Sequence, residues 1–443
     1  MACLFALLLT CLIGGCRTGH APREDGRKVV FVAIDGADWR IIDEMIAAGG
    51  LPNIARMVQT GARGTLTGMP LFLSPALWTT MVTGVGPGEH GITDFVYEDA
   101  AGNQQMVTSN MRRRRAIWDI LGERGHRVGI FGWLATWPAY PVNGHLVSSY
   151  GAYVLNREAP LEKLSRPLKG TFVAGLPDLT YPPAIEDEMR SLMVKPEDLT
   201  DAEIGRFADF SAAQPGSRAE SLLDSIRFTY AADRAFAAMA RTIYEREEPD
   251  FHTVYLSGVD VLSHRLWHFT FESPFSATAA ERERFGRAIP EYYRHVDAEV
   301  GWYLERAGPH TTVVLASDHG FYGITRVPKG TYYSSGGHRM KGVLVMSGAG
   351  IEPGREIRNP SLFDIAPTLL AIFGLPKAAD MRGRVLAEAF VDGYLEPIEP
   401  IETYETTAFG DEREGKRSAV DDAILERLRT LGYLDPDLPT AAR

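Results

Sequence analysis

Thr311–Ala316 is an apolar, β-branched run that reads as a fully buried strand, and it stops on Ser317-Asp318-His319-Gly320. Asp and His side by side at the end of such a strand lose hydration and need a strong partner, for which a divalent cation is the natural choice. The first strand, Lys28–Ile34, ends in the same way on Asp35-Gly36, and a third, Phe251–Ser257, runs into Asp260. In Asp260-Val-Leu-Ser-His264 two ligand types stand four residues apart, so one helical turn brings both to one face. His338, in the flexible Ser334-Ser-Gly-Gly-His338 loop, is a further candidate. Three Asp, three His and no Cys suit two divalent ions with mixed nitrogen and oxygen ligands; zinc is favoured, with manganese, iron or magnesium left open.

A scaffold must gather these strand ends. Strands at 28–34, 62–67, 128–132, 251–257, 311–316 and 342–347 alternate with helices at 38–48, 52–60, 76–82, 116–124 and 217–247. A helix is expected around 282–306 with an interruption at Pro290, and another over 364–373 with Asp364 as its N-cap. The alternation predicts an α/β fold, a doubly wound, mostly parallel sheet flanked by helices. In such a sheet the carboxyl ends share one edge, where open α/β sheets place ligands.

The chain of 443 residues divides into a core over 28–395, a proline-rich cap insertion at about 133–214, and a polar tail over 396–443 with one helix at 421–431. The net charge of −11 gives no electrostatic footprint for nucleic acid. The basic cluster Arg112–Arg115 reads as a solvated loop or helix start. All three cysteines lie in the first sixteen residues, which excludes disulfides and cysteine metal sites from the folded body. The apolar run Leu4–Ile13 leads into Leu12-Ile-Gly-Gly-Cys16, similar to the lipobox of bacterial lipoproteins. That similarity implies a signal peptide over 1–16, a lipid anchor on Cys16, a tether over 17–27, and a place in the cell envelope facing periplasm or exterior.

The motifs resemble the alkaline phosphatase superfamily, on the branch of type I phosphodiesterases and nucleotide pyrophosphatases. The resemblance rests on Ile34-Asp35-Gly36, on Ser74-Pro-Ala-Leu-Trp-Thr-Thr-Met-Val-Thr83-Gly84 with Pro87, and on His90-Gly91-Ile92. Asp260-x-x-x-His264, Ser317-Asp318-His319-Gly320 and Gly337-His338 complete it, over roughly residues 28 to 375. It implies an alkaline phosphatase-like fold with one ion held by Asp35, Ser74, Asp318 and His319, and the other by Asp260, His264 and His338. Ser74, which alone would read as a helix cap, becomes the nucleophile. Two dications are balanced by three carboxylates and a serine alkoxide, so an incoming phosphate meets no net repulsion. A hydroxyl beside such ions ionises near neutral pH, so Ser74 needs no histidine base.

The expected activity is hydrolysis of a phosphodiester or phosphoanhydride in a small-molecule phosphate ester, through a phosphoseryl intermediate. A phosphomonoesterase, a phosphoryl or phosphonate transferase of the same fold, and a non-catalytic binding lipoprotein are the alternatives. Ser74 lacks the Ser-x-Pro-x-Arg context of formylglycine sulfatases. Phe95 stands where nucleotide pyrophosphatases carry an Asn after His-Gly-Ile, which speaks against nucleotide substrates. His268 is expected in a pocket wall or the core, His90 and Asp297 in structural roles, and Trp78, Trp133, Trp137 and Trp267 in packing.

Overall fold

The computed structural model describes residues 26–70, 73–151, 176–209, 217–325, 335–407, 415–418, 421–422 and 425. The apolar start with Cys16, most of the tether, residues 152–175 and 210–214 of the expected cap, Ser334 and most of the last helix lie outside them.

In chain order the strands among the described residues are β1 (Lys28–Ile34), β2 (Ala62–Thr67), β3 (Val96–Glu98), β4 (Gln104–Met106), β5 (Val128–Phe131), β6 (Gly144–Val147) and β7 (Thr180–Tyr181). They continue with β8 (Phe251–Leu256), β9 (Thr311–Ala316), β10 (Gly320–Gly323), β11 (Gly336–Arg339), β12 (Lys341–Gly348) and β13 (Arg355–Glu356). Nine form one sheet in the order β13-β2-β12-β9-β1-β8-β5-β6-β7. The five strands from β9 to β6 pair in parallel, while β12 and the edge strand β7 run against their neighbours. The sheet is therefore mostly parallel, as expected.

Strand β1 shows why the sheet is covered on both faces. Val30, Val32 and Ile34 enter one core with the helices Arg218–Glu247, Gly258–Thr270 and Ala288–Arg306. Val29, Phe31 and Ala33 enter a second core with Ser74–Thr83, Ile117–Glu123 and Ile365–Ile372. A strand buried on both sides carries a continuous apolar run rather than an alternating one. Among the described residues, no helix is long and apolar enough to cross a membrane.

Several elements differ from expectation. Within the stretch expected as a cap, Gly144–Val147 extends the sheet beside β5, and Thr180–Tyr181 forms its edge. The helix Ala288–Arg306 runs through Pro290, and the break falls before it, at Gly286-Arg287. Pro290 sits in the first turn, where a missing N–H leaves no intrahelical bond unmade. Asp364 stands at the N-cap position but its carboxylate accepts from Ser361 N and Arg384 N, each at 2.7 Å. The basic cluster is solvated only in part: Arg113 is exposed and Arg114 half-buried, but Arg112 is buried against Asp119 at 2.8 Å, and Arg115 against Glu123 and Glu405, both at 2.8 Å. His338 lies on strand β11, paired with Phe321 of β10, rather than in a loop.

Candidate functional site

Strands β9, β1 and β8 are neighbours, and the residues that follow them meet at the carboxyl edge of the sheet. Ser317-Asp318-His319 follows β9, Asp35 follows β1, and Asp260 lies in the first turn of the helix after β8. His264 stands one turn further along that helix, and the β10–β11 hairpin folds His338 back over the same point.

Asp260 Oδ1 lies 3.1 Å from His338 Nε2 and 3.5 Å from His264 Nε2, and those two nitrogens are 2.7 Å apart. His319 Nε2 lies 3.1 Å from Asp35 Oδ1, 3.6 Å from Asp318 Oδ2 and 3.8 Å from Asp260 Oδ1. Two groups with metal-ligand geometry result, Asp260–His264–His338 and Asp35–Asp260–His319, each with its ligand atoms within 4.8 Å of one another. Asp260 stands in both, whereas the resemblance gave it to one ion alone. Asp318 flanks the second group. Ser74 opens the helix Ser74–Thr83, and Trp78, one turn later on the same face, reaches Asp35 Oδ2 with its indole N–H at 3.3 Å.

The histidines present their Nε2 atoms because their other nitrogens are engaged. His264 Nδ1 faces the carbonyl of Gly336 at 3.1 Å and His319 Nδ1 that of Gly320 at 3.2 Å. A carbonyl only accepts, so each Nδ1 carries the hydrogen and Nε2 keeps a lone pair aimed at carboxylate oxygens. Lone pairs facing lone pairs repel, so a positive species belongs between them. In the metal-free protein protons take that role. Burial works against charging His319, but Asp318, Asp35 and Asp260 push it up to about 10. Burial and the neighbouring Asp35 charge raise Asp318 well above the usual carboxylate range. Burial alone would raise Asp260 too, yet His264 and His338 hold it well below that range.

The unsatisfied atoms show that the residues fit a metal centre. Both oxygens of Asp318 and Ser74 Oγ are buried and have no hydrogen-bond partner among the described residues, and Asp35 Oδ1 and His319 Nε2 meet only as an ion pair 3.1 Å apart, without hydrogen-bond geometry. Buried polar atoms are normally paired, and a cluster of such orphans around three carboxylates is what a cation would resolve. Nor does the Ser74 hydroxyl cap its helix: the cap position is Leu73, so the cap expected of Ser74 alone is not made.

The chain matches the description of the type I phosphodiesterase / nucleotide pyrophosphatase family over residues 29–361, well over half its length. It belongs to this family. It is thus a hydrolase of the phosphodiesterase and pyrophosphatase kind, a family typically dependent on metal. No curated protein matches the chain. Among solved structures, human ectonucleotide pyrophosphatase/phosphodiesterase 5 is similar at 10% identity with a TM-score of 0.46, covering 79% of this chain and 95% of that one. The murine protein is similar at 12% identity with the same TM-score and coverage, both alone and as an inactive variant in complex with AMP.

In this family member several supporting residues escaped the sequence reading. Tyr255, on β8, donates its hydroxyl to Asp35 Oδ2, which together with Trp78 leaves Oδ1 turned to the site. A tyrosine near the end of a fully buried strand was the available signal, since its hydroxyl must find a partner. Asp38 caps the helix Trp39–Ala47 through Arg40 N at 2.9 Å and accepts from Phe321 N at 3.0 Å, tying the hairpin down. Phe321 fills the space among His264, His319 and His338, with ring centroids 5.0–5.6 Å apart. His268 lies outside the ligand groups, between Ser335 Oγ at 2.7 Å and Arg218 at 3.1 Å. His90 is buried against Thr80 Oγ1 at 3.0 Å, and Asp297 accepts from Asn53 N and Ile54 N at the start of the helix Pro52–Thr60. Trp133 packs edge-on against Trp78, Trp118 and Phe31 beneath the site.

Proposed function

We propose that the chain hydrolyses a phosphodiester or phosphoanhydride of a small-molecule phosphate ester through a phosphoseryl intermediate on Ser74. Two divalent ions, zinc favoured, would be held by Asp35, Ser74, Asp318 and His319 and by Asp260, His264 and His338. The observation that carries this reading is the set of buried Asp and His ligand atoms on Asp35, Asp260, Asp318 and His319 at one sheet edge, with the helix that Ser74 opens held against Asp35 through Trp78.

When bound, the cations supply charge neutralisation for the phosphate and acidify the oxygens beside them. The chain's own residues do the rest. Ser74 Oγ, at the positive end of its helix, attacks phosphorus as the bond to the leaving oxygen breaks, and the proton lost by the serine ends on that oxygen, which departs as the free hydroxyl or phosphate group. Water then cleaves the serine–phosphorus ester and returns the hydroxyl. Asp35, anchored through Oδ2, and His264 and His319, fixed through Nδ1, keep the reacting region in one geometry.

The purified chain with zinc or manganese should cleave an activated aryl phosphodiester faster than the matching monoester, and chelation should abolish the activity. Full activity of Ser74→Ala or after chelation would sink the mechanism, and a monoester preference would move the reading to a phosphatase. The Leu12-Ile-Gly-Gly-Cys16 run supports carriage of this activity on a lipid anchor at the bacterial envelope.

A further inference from the structure

The helix Gly258–Thr270 carries Asp260 and His264, yet its cap residue Ser257 makes no side-chain cap bond of its own. The cap comes from elsewhere in the chain. Asp233, buried in the middle of the helix Arg218–Glu247, accepts from Gly258 N at 2.9 Å and Ser257 N at 3.1 Å. Its Oδ2 also accepts the hydroxyl of Tyr292, at 2.8 Å, from the helix Ala288–Arg306. Tyr292 in turn packs its hydroxyl end against the first helical residue: a Cβ on Gly258 would come within 2.0 Å of the tyrosine hydroxyl. One carboxylate therefore joins three helices at the turn that presents Asp260, the ligand common to both groups.

We infer that Asp233 is a positioning residue for the metal centre, acting through Gly258 and Tyr292 to set the first turn, on which Asp260 stands, and with it the turn that follows and carries His264. A negative charge at a helix N-terminus satisfies orphan N–H groups and opposes the helix dipole. Here the same contacts also fix the helix's rotation and axial position, because Asp233 grips two successive backbone nitrogens from the side. Rotation of that turn would move Asp260 away from His338 and His319 together. The inference rests on the proposed ligand set, and it concerns metal affinity rather than stability alone.

The test compares the full chain with Asp233→Asn and Asp297→Asn, the second losing a comparable buried cap on the helix Pro52–Thr60. Chelator competition measures zinc affinity, and the visible spectrum of the cobalt-loaded protein reports ligand geometry. Asp233→Asn should bind zinc roughly tenfold to hundredfold more weakly, as loss of outer-shell support does elsewhere, with an altered cobalt spectrum. Asp297→Asn should bind as wild type does. Unchanged affinity and spectrum in Asp233→Asn, or equal weakening in Asp297→Asn, would overturn the inference while leaving the ligand set standing. Wild-type protein that binds no metal would overturn both. If Asp233→Asn does not fold, Tyr292→Phe removes one donor and keeps the ring, and about threefold or greater weakening is expected. Wild-type affinity in Tyr292→Phe would then reject the inference.

Discussion

Tyr255 donates its hydroxyl to Oδ2 of Asp35, the same oxygen that accepts the indole N–H of Trp78 at 3.3 Å. Burial, and then the charge of Asp35, raise the tyrosine well above its ordinary value, so it stays protonated and can only donate here. The carboxylate is thereby held with Oδ1 free and facing His319. Tyr255→Phe keeps the ring that packs edge-on against Trp78 and removes only that donor. Metal affinity should fall by roughly tenfold to hundredfold, with a loss of activity to match, and the metal-free protein should lose about 1–2 kcal/mol from the buried bond itself. Isothermal titration with zinc checks this, and unchanged affinity would show that Trp78 alone suffices.

How much of this was legible follows from what each residue does locally. Asp35 and Asp318-His319 were visible because buried strands have no packing reason to end on them, and Asp260 and His264 because their spacing is helical. The direction of β12 was not visible: a strand buried on both faces reads the same parallel or antiparallel. Strands β6 and β7 span four and two residues among prolines, too short for a periodic signal. Arg112 and Arg115 looked exposed because their partners, Asp119, Glu123 and Glu405, are fixed by the fold rather than by spacing. Asp233, some two dozen residues before the helix it caps, was hidden for the same reason.

Gly36 follows Asp35 with φ +73, and a Cβ there would lie 2.6 Å from the Phe321 ring and 3.0 Å from the Asp260 backbone. Backbone cannot yield as a side-chain end can, so Gly36→Ala must push β1 away from the metal-ligand helix. The expected outcome is a stability loss of about 1–3 kcal/mol together with loss of metal-dependent turnover. Urea unfolding and zinc titration on the same preparation measure the two effects. A stable variant with normal zinc binding would show that Phe321 and the hairpin can shift without cost.

Ser74 Oγ makes no hydrogen bond among the described residues, so removing it should not weaken the fold. Ser74→Ala is expected to melt at or slightly above wild type in the metal-free state, because a buried hydroxyl without a partner carries a desolvation cost that alanine lacks. Turnover of an activated phosphodiester should fall by three orders of magnitude or more, on the order of what loss of a catalytic nucleophile produces. Acid quenching of wild type during turnover should trap a phosphoryl group on Ser74, read by peptide mass spectrometry. A phosphoryl group on another residue would reassign the nucleophile.

His252, inside β8, gives a prediction about acid that is independent of the metal centre. Its Nε2 meets the Tyr303 hydroxyl at 3.2 Å, and the rings of Phe131 and Tyr244 close around it. Burial lowers it from 6.5 to about 3, so the folded protein keeps it neutral while the unfolded chain protonates it near the ordinary value. Between these limits the unfolded state binds the extra proton, and stability therefore rises with pH and falls as acid is added. From pH 7 to pH 4.5 this one residue should remove about 2 kcal/mol. His252→Phe lacks the proton site; it should start about 1 kcal/mol less stable at pH 7, having lost the bond to Tyr303. It should then lose about 2 kcal/mol less than wild type on acidification, as read from urea unfolding at the two pH values. Parallel losses in the two proteins would mean that His252 takes up its proton without unfolding, and that water reaches the centre of the sheet.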